Sequence, residues 1–123
     1  MEFRNYTSDV DLPIRPRRNR KSPGLRALAR ETLLSPGDFV LPLFLHDVEA
    51  DEAIESMPGC TRWSLEGIVK EAGEALAVGV PAVVLFPAID DSLKTKRGEE
   101  SFNPGGLVQR AIRALKSAYP ELV

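Results

Sequence analysis

Lys94 and Lys96, two residues apart, are the side chains best suited by type to covalent chemistry, because a desolvated lysine offers a free amine to a carbonyl. Their setting opposes that use. Arg97 follows at once, and Asp90, Asp91, Glu99 and Glu100 flank them, so both amines read as charged groups of a solvated loop. His46, the only histidine, ends an apolar run, the end of a strand at which β/α enzymes gather their sites. With no second ligand at metal-binding spacing, it reads as a structural or loop residue. Asp47, Glu49, Asp51 and Glu52 would attract a divalent cation, yet their irregular spacing fits a solvated loop better. The single cysteine, Cys60, has no intrachain partner and is too few for a cysteine-based zinc site. It reads as a small buried residue, and its isolation fits a reducing compartment, so the cytoplasm is the expected location.

A different chemistry is concentrated near the N-terminus. Five of the seven residues from Arg15 to Lys21 are basic (Arg15, Arg17, Arg18, Arg20 and Lys21), while the whole chain carries a net charge of −2. Such a stretch makes phosphate contacts in nucleic-acid-binding proteins. No aromatic residue for stacking lies between Arg15 and Arg26, and the rest of the chain is acidic, so nucleic acid is not the expected partner. Arginines contacting carboxylates on a partner subunit fit better. The first residues carry acid early and lack the apolar core of a secretory signal. The longest apolar candidate, residues 78–89, is broken by Gly79, Pro81 and Pro87, so no membrane span and no membrane partner are expected.

The elements that must position these groups follow from periodicity. A chain of 123 residues with 43% hydrophobic content is sized for one domain with a core. Residues 1–21 lack periodicity and read as an extended arm; residues 22–123 form the body. Ser22-Pro23 is an N-cap and first-turn proline for a helix to about Thr32, with Leu25, Leu28 and Ala29 on one side. Ser35-Pro36-Gly37-Asp38 is a turn. Residues 39–45 are apolar on both alternating faces, which predicts a strand buried on both sides, although Pro42 cannot donate to a ladder. Residues 46–62 read as a loop with a turn at Ser56-Met57-Pro58-Gly59. Ser64 caps a helix over 65–77, Gly79 ends it in a left-handed cap, and residues 80–86 form a second strand stopped by Pro87. Asn103-Pro104 is expected to cap a helix to about Ser117, and Leu122-Val123 to begin a third strand. This β/α alternation predicts a parallel sheet, and one left unfinished within these residues.

Several segments together resemble the start of the delta-aminolevulinic acid dehydratase (porphobilinogen synthase) family. They are the stretch from Arg15 to Arg26, the run DFVLPLF from Asp38, Ser56-Met57-Pro58-Gly59, the run GVPAVVLFP from Gly79, and the Asn103-Pro104 helix start through Arg113. The likeness covers the chain from about Arg15 onward. It implies an α/β fold: an N-terminal arm plus the first β/α units of a (β/α)8 TIM barrel, incomplete in this chain. It also implies a homo-oligomer, octameric or smaller, joined through the arm. The implied reaction is that of a hydro-lyase in tetrapyrrole (haem) biosynthesis. Two molecules of 5-aminolevulinate condense, losing two waters, to porphobilinogen.

The family uses two Schiff-base lysines and, in many members, zinc on a cysteine cluster, or magnesium. None of these residues maps onto a position here, so no catalytic residue and no metal ligand is assigned. The isolated chain is expected to be catalytically silent. Phe86, ending the second strand, is the one candidate to line a substrate pocket in the completed barrel. Two other readings stand beside this one: a non-catalytic association module that self-assembles or joins a full-length enzyme, and a basic-arm RNA-binding protein.

Overall fold

The computed structural model describes residues 17–123, so Arg15 and the other residues of the expected arm through residue 16 lie outside the described residues. The chain divides between Leu33 and Leu34 into two compact units, each described by itself.

In the first unit Arg18–Arg20 forms a 3-10 turn rather than running extended, and Pro23–Leu28 forms helix α1. The Ser22 hydroxyl accepts the Leu25 N–H at 3.2 Å, as its N-cap position requires. The helix stops four residues short of Thr32. Its apolar stripe stays exposed, with Leu25 41% and Leu28 87% exposed. Without an apolar face to bury, so short a helix has little to extend it.

The second unit is mixed α/β with one sheet. Its strands are β1 (Val40–Leu45), β2 (Glu52–Ala53), β3 (Thr61–Trp63) and β4 (Ala82–Pro87), in the spatial order β2-β3-β1-β4. β1 and β4 run parallel from Val40↔Ala82 to Leu45↔Pro87, connected by way of helix α2 (Leu65–Ala77). After β4 comes helix α3 (Leu107–Ala118). Leu43 and Leu45 pack with Ile68 and Ala72 of α2 and with Ala111 and Leu115 of α3 to form the core.

Pro42 sits within β1, opposite Val84, without interrupting it. The Leu45 carbonyl accepts the Ala88 N–H on the β4 side, and the His46 N–H donates to Trp63 on the β3 side. Backbone groups alternate sides along a strand, so position 42 shares the side of 46 and faces β3. β3 pairs with β1 only at Phe44 and Leu45, so the missing donor of Pro42 points where no strand runs.

The sheet is covered on one face only: Val40, Val84 and Phe86 on the other face are 56%, 40% and 47% exposed, in line with a sheet left unfinished within these residues. Three expectations need correction. The segment 46–62 is not a plain loop, because Glu52↔Arg62 and Ala53↔Thr61 pair β2 and β3 as an antiparallel hairpin. Asn103 does not cap α3. Its Oδ1 accepts the Gly105 N–H at 3.0 Å and its carbonyl accepts the Gly106 N–H at 2.9 Å, so Asn-Pro forms a turn and the helix starts after Gly106. Cys60 is half-buried rather than buried, at the base of the hairpin turn, where its N–H donates to Met57 at 2.9 Å.

Helix α2 has the expected bounds. Gly67 donates to the Ser64 hydroxyl at 3.0 Å at one end. At the other, Gly79 (φ +90°) donates to Leu76 at 2.9 Å and Val80 to Ala75 at 3.0 Å, a complete Schellman closure. Leu122 is buried, and Val123 donates to Pro81 while accepting from Val83 at 2.9 Å. These two bonds lay Leu122-Val123 along the outer edge of β4, where no strand is formed.

Candidate functional site

The strands end together. The C-terminal residues of β1, β3 and β4 lead into His46, Ser64 and Ala88, and among the described residues this rim carries the buried polar side chains, His46 and Ser64. A parallel sheet concentrates chemistry there because the loops leaving all its parallel strands converge on that edge.

His46 is 7% exposed. Its Nε2 lies 2.9 Å from the Ala50 carbonyl, which only accepts, so Nε2 carries the proton and donates. Nδ1 faces Glu52 Oε2 at 3.9 Å, and the same carboxylate oxygen meets Arg62 Nη1 at 3.4 Å. The ring therefore closes the turn from 46 to 50.

The acid run separates into distinct roles. Asp51 Oδ1 accepts from both the Ser64 N–H and the Ser64 hydroxyl, each at 2.8 Å. These bonds, the backbone one foremost, hold the Asp51 carboxyl below its ordinary pKa. The Ser64 hydroxyl accepts from Gly67 in turn, so one carboxylate anchors the start of α2. Asp47 pairs with Arg110 of α3 at 2.6 Å. On one side of that pair lies a cleft of ≈580 Å³ bordered by Ala88, Asp90, Asn103 and Gly106; on the other lies one of ≈660 Å³ bordered by Glu49, Ser64 and Glu66. His46, Asp47, Val48 and Arg110 border both.

The remaining candidates lie apart from this rim cluster. Lys94 pairs with Asp91 at 2.6 Å with 60% of its side chain exposed, and Lys96 is exposed, as befits a solvated loop. Phe86 lies on the open face of the sheet beside Phe44, ring centroids 5.5 Å apart. Arg17, Arg18, Arg20 and Lys21 are all exposed. Among the described residues no three His, Cys, Asp or Glu side chains are placed to hold a metal ion, so the residues present do not fit one. The pairs Asp51–Ser64 and Asp47–Arg110 escaped sequence reasoning. Each joins distant positions, and the only local signal was the Ser64 cap.

Parallel strands, helices against one face and a polar rim at the strand ends define a β/α-type fold. The delta-aminolevulinic acid dehydratase family model matches residues 13–123. The chain belongs to that family. It is 51% identical to the delta-aminolevulinic acid dehydratase of Physcomitrium patens over 94% of this chain and 27% of that protein. Against the Glycine max enzyme the identity is 55%, over 91% of this chain and 28% of that protein. A crystal structure of the Toxoplasma gondii enzyme in complex with the reaction product porphobilinogen superimposes with a TM-score of 0.84 at 49% identity. That superposition covers 91% of this chain and 32% of the other. The chain thus spans little more than a quarter of the curated relatives it matches. Both plant relatives are named chloroplastic, which overturns the expectation of a cytoplasmic protein.

Proposed function

We propose that this chain is the N-terminal part of a porphobilinogen synthase, a lyase that condenses two 5-aminolevulinate molecules to porphobilinogen in tetrapyrrole (haem) biosynthesis. The observation that carries this is the family match over 13–123, supported by the likeness to the product-bound relative. In this reading the unit 34–123 supplies the first strands and helices of a (β/α)8 barrel. The open sheet face with Phe44 and Phe86 turns inward there, and Phe86 lines the substrate pocket. The names of the relatives favour a plastid location. The exposed basic residues Arg17, Arg18, Arg20 and Lys21 are available to hold a partner subunit in a homo-oligomer. Zinc or magnesium belongs to the complete enzyme, on residues that have no counterpart here.

The test is a chimera in which residues 13–123 replace the matching segment of the Glycine max enzyme. Porphobilinogen formation is expected to persist in the chimera, and to be absent from the 123-residue chain alone. Phe86→Ala in the chimera is expected to raise KM. A folded but inactive chimera would overturn the reading, as would turnover by the isolated chain that Lys94→Ala or Lys96→Ala abolishes.

Association without catalysis is the second reading, favoured by the exposure of Leu28, Leu33 and Leu34 at 87%, 75% and 76%. It is separated by light scattering: one discrete oligomer with a cooperative melt supports it, and a compact monomer removes it.

A further inference from the structure

The loop between β1 and β2 crosses the strand ends and is tied at three points. His46 holds the Ala50 carbonyl, Asp51 holds Ser64 at the start of α2, and Asp47 holds Arg110 on α3. The first tie is within the loop. The other two anchor it to different helices, so the loop bridges α2 and α3 over the sheet.

The tie to α3 differs from the tie to α2. Asp51 receives two hydrogen bonds on one oxygen, and its partner Ser64 is buried. The Asp47–Arg110 pair joins a 64% exposed carboxylate to a 36% exposed guanidinium, a setting in which water and salt screen the attraction. Arg110 also leaves its Nε buried without a hydrogen-bond partner in this arrangement, which disfavours the closed pairing. One anchor is strong and the other is weak.

The weak anchor is also the partition between the two rim clefts, of ≈580 and ≈660 Å³, since Asp47 and Arg110 border both. We infer that the Asp47–Arg110 pair is a strap: closed, it divides the rim into two clefts; open, it swings the loop about the Asp51 anchor and joins them into one trough. This inference concerns the chain's own residues and holds whatever reaction the rim serves.

NMR order parameters of the 123-residue chain test it, reading the amides of Val48, Glu49 and Ala50 against those of α2 as an internal reference, since these exposed amides donate no hydrogen bond among the described residues for exchange to follow. In Asp47→Asn and in Arg110→Gln, the loop order parameters are expected to fall from about 0.85 toward about 0.6 while those of α2 stay high. Wild type at high salt is expected to approach the variants, and the swap Asp47→Arg with Arg110→Asp to restore the ordered loop. Unchanged loop order in both single variants, or a swap no better than either, overturns the strap. If Arg110→Gln loosens α2 and α3 as well, Arg110→Lys decides. A rigid α2 with loop order near wild type supports the strap, and general loss of order shows Arg110 to be a core support instead.

Discussion

Asp51 and Ser64, thirteen positions apart, are joined through a single carboxylate oxygen that accepts both the backbone N–H and the hydroxyl of the serine at 2.8 Å. The oxygen also lies against the Cα of Gly67, where any Cβ would collide with it. The start of α2 is thus organised by a residue from the far side of the hairpin. A negative charge beside a helix N-terminus gains further from the aligned backbone dipoles.

This arrangement sets a pH dependence. The Asp51 pKa is lowered from its ordinary 3.8, first by the Ser64 backbone N–H and then by the Ser64 hydroxyl. A depressed folded-state pKa means that the contribution is whole above the unfolded value and is lost as pH falls through the lower folded value. Asp51→Asn is therefore expected to lower the melting temperature at pH 7, with the gap to wild type closing on acidification below about pH 4. Asp38 and Asp90 are lowered in the same direction by their own serine partners, so the variant difference, not the wild-type curve, isolates Asp51. Melts followed by circular dichroism from pH 7 to pH 2 check this; a gap constant with pH would show that the carboxylate charge is not what matters.

Ser64→Ala removes the cap of α2 and one of the two donors to Asp51. The loss expected for an N-cap is about 0.5–2 kcal/mol. Urea unfolding is expected to show it as a shifted midpoint with an unchanged slope, since the surface exposed on unfolding stays the same. Ser64→Thr, which keeps the hydroxyl, is expected to recover most of it.

What could be read from residues alone follows the range of the interactions involved. The bounds of α2 were legible because Ser64, the apolar stripe and Gly79 all lie within or beside the helix. The hairpin of β2 and β3 was not, because Glu52, Ala53, Thr61 and Arg62 carry no strand pattern and pair only once β1 offers an edge at Phe44 and Leu45. The start of α3 misled because Asn103 is a good cap by type, yet its oxygen is used on Gly105. Of the rim, His46 was placed correctly at a strand end, while its bond to Ala50 and the Asp47–Arg110 pair depend on how the loop packs.

Pro42 gives a test of the sheet's geometry. In the middle of a fully paired strand, a proline costs a ladder hydrogen bond, and restoring an N–H would add one. Here the restored N–H would face the side of β1 where β3 does not reach. Pro42→Ala is thus expected to gain nothing from the ladder and to lose about 0.4–1 kcal/mol through greater freedom of the unfolded chain. Chemical denaturation measures the difference; a variant more stable than wild type would mean that position 42 has a hydrogen-bond partner on that side.

Gly73 and Tyr119 test the contact between α2 and the end of α3. A glycine inside an exposed helix face gains up to about 1 kcal/mol on replacement by alanine, because the helical backbone loses less freedom. At Gly73 the sign is expected to reverse. The Tyr119 hydroxyl lies against the Gly73 Cα where a Cβ would stand, and the ring carbon bearing it is only 2.9 Å from that point. The ring packs against the core cluster, so it cannot swing clear without losing that packing. Gly73→Ala is expected to cost about 1–3 kcal/mol, the range for overpacking. Tyr119→Phe alone removes the hydroxyl with little volume change, and in the double variant it is expected to return part of the loss but not all, because the ring carbon remains too close. The coupling from a double-mutant cycle measures this directly. A cycle with no coupling would show that the helix–helix approach at Gly73 is looser than the positions of these two residues require.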